Sequence, residues 1–152
     1  MLEPVYRHTQ RGPIGWVLFV VALAVAVGAI VGAMPTEVRV LLALLSALFV
    51  FLSACFQTLT IQDEGAALHV SFGPLSVFQT RIRYAEILKA ELAKTDLLDG
   101  IGIHYIFTRG WVWNLWGRNC LRLETRGGVI RVGTDDPENL LRCVQSRVTQ
   151  PS

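Results

Sequence analysis

The residues best suited to act at a surface stand together in Arg109-Gly110-Trp111-Val112-Trp113-Asn114-Leu115-Trp116-Gly117-Arg118. Three tryptophans fall within six residues, flanked by two arginines. Indole pairs an apolar body with a polar N–H, so such a cluster suits the boundary between hydrocarbon and water. Arginines beside it can meet lipid phosphates, at about 1 kcal/mol each near an anionic surface. The fourth tryptophan, Trp16, opens the first apolar run of the chain, so all four could share one headgroup level. The spacing of two between Trp111 and Trp113 puts both on one face of a strand, which could equally be a core face, whereas Trp116 is expected exposed.

Other chemistry is poorly supplied. Thr134-Asp135-Asp136 suits a helix cap better than an acidic metal corner. His8, His69 and His104 have no partner at catalytic or ligand spacing, and His69 and His104 alternate with apolar residues as outward strand positions do. No serine lies in a Gly-x-Ser-x-Gly elbow, and Gly100-Ile101-Gly102 leads into a strand pattern rather than a helix. Arg81 and Arg83 could join Arg131 in an anion patch but read more simply as a solvated face. Cys55, Cys120 and Cys143 are scattered and odd in number, as fillers in a reducing compartment would be. No catalytic residue, cofactor or metal site is expected, and the chain is not read as an enzyme.

These residues hang on two apolar runs. Ile14 to Met34 is 21 residues without a charge and Val40 to Phe56 is another 17, with only Pro35-Thr36-Glu37-Val38-Arg39 between. Roughly 20 helical residues cross a bilayer's hydrocarbon, so the pair predicts a transmembrane hairpin over residues 14–56. A signal peptide cut after Val31-Gly32-Ala33 competes, but its apolar stretch would exceed the usual length of about 7–15 residues. No ionisable residue interrupts either run, which argues against an ion or proton path. Ala24, Gly28 and Gly32 form a small-residue strip, read first as packing between the two helices and second as a homodimer face. The second run offers Ala43 and Ala47, and Ser46 and Ser53 seven apart. Residues 1–13 are read as a tail; Arg7 and Arg11 there against Arg39 alone in the loop favour cytoplasmic ends.

From Gln57 onward the period changes to two. Thr58 to Gln62, Ala67 to Phe72, Ser76 to Tyr84, Ile101 to Phe107, Cys120 to Thr125 and Val129 to Val132 all read as strands, with an aromatic hairpin before Cys120. In Ala85 to Lys94 the residues Ile87, Leu88 and Leu92 suit a short helix or a strand, and the neighbouring strands tilt the reading to strand. Turns are expected at Asp63-Glu64-Gly65, Gly73-Pro74, Asp96 to Gly100 and Arg126-Gly127-Gly128. A helix from Pro137 carries Leu140, Leu141, Val144 and Val148 as one stripe, with Glu138 at its positive end. This segment holds 11 Lys/Arg against 10 Asp/Glu, too balanced to attract nucleic acid. Arginine outnumbers lysine twelve to two over the whole chain.

The fold class expected is therefore an α+β membrane protein. A two-helix transmembrane hairpin precedes residues 57–152, an antiparallel barrel of about seven strands closed by a C-terminal helix, the outline of a pleckstrin-homology (PH)-like domain. Gly100-Ile101-Gly102-Ile103-His104-Tyr105, the tryptophan-bearing stretch after it, and Ile130-Arg131-Val132-Gly133-Thr134-Asp135-Asp136-Pro137-Glu138-Asn139-Leu140 carry a resemblance. They resemble the late part of small bacterial membrane proteins that place a PH-like domain behind two helices. The layout is similar over most of the chain, with specific matches only in the last third. Such proteins often have Arg after the Gly-x-Gly-Ile step, where this chain has His104. The likeness implies a fold and an inner-membrane location, not a catalytic residue. The expected partners are membrane lipid and a membrane protein or a second copy.

Overall fold

Two long helices with apolar residues on every side emerge first because no polar stripe exists to turn toward water. In the computed structural model, which describes residues 6–95 and 101–149, α1 spans Ile14–Val31 and α2 spans Thr36–Cys55. Both are long and apolar enough to cross a membrane, with mean hydropathies of 2.8 and 2.4 over their most apolar 18 residues. Pro13 and Pro35 precede them, as suits a helix start where the first N–H groups lack partners. The helices meet along small residues spaced by seven: Gly15, Ala22 and Ala29 of α1 face Ser46 and Ser53 of α2. Ser53 donates to the Gly15 carbonyl at 2.8 Å and Ser46 to the Ala22 carbonyl at 2.9 Å. Of the two pairs the second run offered, the serines form this seam, while Ala43 and Ala47 are exposed.

The expected strip lies elsewhere. Nothing approaches within 4 Å of where a Cβ on Gly28 would stand, and Ala24 is exposed. Gly28 is one residue, about 100° of helical arc, from the buried Ala29, so the strip points away from α2. Packing between the two helices does not use it.

The segment expected to be a tail is a strand. β1 (Arg7–Arg11) pairs antiparallel with β2 (Thr58–Asp63), from Arg7 opposite Gln62 to Arg11 opposite Thr58. The ladder starts where the helices stop, with Gly12 N–H reaching the Gln57 carbonyl at 3.4 Å. β3 (Ala67–Phe72) and β4 (Phe78–Arg83) complete a four-stranded sheet in the order β1-β2-β3-β4. Gly65, at φ +84°, takes the left-handed conformation that the β2–β3 turn requires.

A short 3-10 turn at Tyr84–Glu86 leads to the second sheet. It contains β5 (Ile87–Lys94), β6 (Gly102–Ile106), β7 (Gly110–Asn114), β8 (Asn119–Thr125) and β9 (Gly128–Gly133), in the order β5-β8-β9-β7-β6. Strand, not helix, is thus the outcome from Ile87 to Lys94. Two features depart from an antiparallel seven-stranded barrel. The described residues form nine strands in two sheets that do not close on each other, and β7 pairs with β9 in parallel. The turn expected at 96–100 lies outside the described residues.

Both sheets and the final helix share one core. Leu59, Ile61, Val70 and Phe72 of the first sheet join Leu121, Leu123 and Val132 of the second. Helix α3 (Pro137–Thr149) adds Leu140 and Val144, the stripe legible in its sequence. Its entry is fixed by the Thr134 hydroxyl, which accepts from the Asp136 N–H at 3.0 Å.

Candidate functional site

Every strand of the first sheet has one end at the helical hairpin and one end far from it. The hairpin end gathers the start of α1, the β3–β4 turn and the β7–β8 turn. Gln10 points inward from β1 and donates through Nε2 to the Trp116 carbonyl at 2.7 Å. Asn114 Nδ2 donates to the Gly117 carbonyl at 3.0 Å, and the Thr95 N–H reaches the Arg118 carbonyl at 2.7 Å. Gly117 takes φ +90°, which lets the chain reverse. Leu115 is buried in the core while Trp116 is left 44% exposed. A Cβ on Gly12 would stand 3.0 Å from the Leu115 side chain and 3.1 Å from that of Trp116. Trp116 therefore rests against the residue two positions before α1. Trp16, in the first turn of that helix, is exposed and meets Phe19 edge-on.

The six expected contact residues divide three ways. Trp16, Trp116 and Arg118 come to the hairpin end, where Arg118 is exposed. Trp113 turns to the core and packs against Phe72, with ring centroids 6.1 Å apart. Arg109 and Trp111 go to the far end of β7, where Trp111 pairs with Tyr105 across the strands at 5.5 Å. A single level for all four tryptophans is thus not what the fold builds. Trp111 and Trp113 do share a face, but one is at its rim and the other inside.

Two hairpin-end residues escaped the sequence reading. Leu75 and Val77, in the β3–β4 turn, are exposed. Their signal was available: Pro74, Leu75 and Val77 surround a single Ser76 in a turn that would ordinarily be polar.

At the far end the chemistry is saturated rather than poised. Asp63 is buried and accepts from Arg147 Nε at 3.0 Å and Nη2 at 2.6 Å, from the Tyr84 hydroxyl at 2.9 Å and from the Gly65 N–H at 2.8 Å. Burial alone would raise this carboxyl, but the Arg147, Gly65 and Tyr84 donors outweigh it and hold it below the usual carboxylate range. Burial, then the Asp63 carboxylate, push the Tyr84 phenol well above its ordinary value. Cys143 lies beside them, its thiol pushed up chiefly by burial, which makes it a poor nucleophile. The group ties α3 to the first sheet. It offers no acid or base at neutral pH. His8 and Tyr6 reinforce the tie through Asp135 and Asp136.

The cleft between β1 and α3, of about 520 Å³, is lined by Tyr6, Arg7, Asp136, Arg142 and Ser146 among others and opens widely to solvent. Among the described residues no three His, Cys, Asp or Glu side chains gather where a metal ion could be held. No family model matches the chain, and no curated protein matches it.

Proposed function

We propose that this chain is a membrane-anchored, non-catalytic binding or scaffolding module. In this reading α1 and α2 form a transmembrane hairpin in a bacterial inner membrane, with both termini cytoplasmic. The β-domain, PH-like in having two sheets around one core and a C-terminal helix, engages lipid headgroups at the inner leaflet. The observation that carries it is the direct run of α1 from β1 and of α2 into β2, with no linker between helix and ladder. Such a junction keeps the domain's hairpin end at the bilayer surface, so a weak headgroup contact becomes effectively intramolecular. Trp16 and Trp116 then occupy the interface, with Arg11 and Arg118 exposed beside them. Arg7 and Arg11 ahead of α1 outnumber Arg39, in the first turn of α2 at the other end of the hairpin, by one, which supports the cytoplasmic orientation.

The test requires the full chain, because residues 57–152 alone lack β1. In nanodiscs, energy transfer from tryptophan to a dansyl-labelled anionic lipid should exceed transfer to its zwitterionic counterpart. The excess should fall with salt and with Arg118→Ala. Equal transfer to both lipids would remove the headgroup reading and favour a protein partner.

A second reading, a stabilising subunit of a larger membrane complex or a homo-oligomer, is favoured by one observation. The strip of Ala24, Gly28 and Gly32 is open, floored by small residues between Val20, Leu23 and Val27. Small residues let helix backbones approach closely. Loss of association by Gly28→Leu in a membrane two-hybrid assay would support it. Unchanged association would leave the strip to lipid.

A further inference from the structure

The β3–β4 turn sits where a soluble domain would place polar residues, and it has none but a serine. Gly73-Pro74-Leu75-Ser76-Val77 carries no charge, with Leu75 60% and Val77 52% exposed. The turn at the other end of β3 reads Asp63-Glu64-Gly65. The two turns on one strand thus differ in polarity.

The position of the turn is tightly set. A Cβ on Gly73 would stand 2.6 Å from the Cys55 carbonyl oxygen and 2.7 Å from that of Ala54, so its backbone abuts the last turn of α2. The Gly73 N–H reaches the Thr58 carbonyl at 2.8 Å. Phe56, the residue that ends α2, stacks on Phe78 with centroids 5.6 Å apart and meets Phe72 edge-on at 5.4 Å. Both strands leaving the turn are therefore pinned to the end of the helix. Pro74 to Val77 project from that anchor as an exposed apolar tip.

We infer that this turn is a second membrane contact, with Leu75 and Val77 buried in the headgroup–acyl boundary of the leaflet where α2 ends. The inference rests on the hairpin being transmembrane and names lipid as the occupant. The turn is set at the level of the helix end: α2 has 20 residues, enough to reach across the hydrocarbon, and its final carbonyls abut the turn. Apolar groups held at that height lie at the depth where amphipathic segments bury their apolar side. The polar β2–β3 turn stays in water at the far end of the same strands. The turn, Trp116 and the helix ends then give three supports, which stop the domain from rocking on its two covalent junctions.

The test is site-specific depth quenching on the full chain in phosphatidylcholine–phosphatidylglycerol vesicles. Leu75→Cys and Val77→Cys would each carry an environment-sensitive fluorophore, with Val17→Cys in α1 and Phe107→Cys in the β6–β7 turn as references. Val17 is an exposed residue of the apolar helix, and Phe107 is 92% exposed at the far end. The three native cysteines are buried, and the unsubstituted chain gives the background. The expected result is strong quenching of the Leu75 and Val77 labels by spin-labelled lipid and protection from aqueous iodide, as at Val17 and opposite to Phe107. If Val17 is lipid-quenched while Leu75 and Val77 follow Phe107, the turn stands in water and the inference is overturned, with the hairpin intact. If Val17 also follows Phe107, the transmembrane reading fails and this one with it.

Discussion

The two ends of the β-domain are built from the same strands yet finished in opposite ways. At the far end the turns carry charge, and the charge is paired: Glu64 meets Arg81 at 2.9 Å and His69 at 3.2 Å, while Asp63 is enclosed by donors. At the hairpin end Leu75, Val77 and Trp116 stand exposed in turns fixed by backbone contacts and side-chain amides. Polar tips held by ion pairs suit water, and apolar tips held by backbone suit a surface that rewards apolar area. Phe107, almost fully exposed at the far end, and the half-exposed Leu88, Tyr105 and Trp111 near it depart from this pattern, and nothing in the fold accounts for them.

The sharpest break falls at the far end. Asp63→Ala leaves Tyr84 and Arg147 without their acceptor, and thermal unfolding followed by tryptophan fluorescence should show a loss of about 3 kcal/mol. The pH sign follows from the lowered carboxyl. Its stabilisation is complete above the unfolded value, about 3.9, and is lost as pH falls through the lower folded value. Asp63→Asn should therefore flatten the stability loss on acidification below about pH 4.

A matched pair of glycines compares the ends directly. Gly65 and Gly73 both have positive φ, at +84° and +64°. Nothing would touch a Cβ on Gly65, so Gly65→Ala should cost only backbone strain, about 1–2 kcal/mol. Gly73→Ala adds a clash with the α2 backbone and should cost at least about 1 kcal/mol more. Equal losses in a denaturation series would mean that the turn is not pressed against the helix.

Smaller effects are expected in the hairpin. Ser53→Ala removes one interhelical hydrogen bond and should lower unfolding stability in detergent by about 0.6 kcal/mol. Gly28→Leu, with open space around it, should leave monomer stability within about 0.5 kcal/mol, whatever it does to association.

The sequence made visible those elements whose signal is local. Leu59 and Ile61 alternate with polar neighbours, and Leu140, Leu141, Val144 and Val148 repeat at helical spacing, so β2 and α3 were legible. β1 was not, because Arg7-His8-Thr9-Gln10-Arg11 has no apolar alternation and becomes a strand only by pairing with β2. The candidate site was half legible. Trp116 and Trp16 were named from composition, but Arg109 and Trp111 were grouped with them because ten consecutive residues cannot reveal that a strand carries its ends apart. Leu75 and Val77 were passed over because a turn's place relative to the hairpin is not a local property.

The amino-acid order by itself determined that two uncharged helices precede a β-rich domain ending in an amphipathic helix, since hydrophobic period and helix breakers act over a few residues. Tertiary structure decided which faces those elements present. Ser46 and Ser53 capture carbonyls of α1 and so turn Gly28 outward. The parallel pairing of β7 with β9 and the seating of Gly73 on α2 are likewise contacts between distant residues. Such contacts depend on the shape of what lies across the gap, and no single segment carries that information.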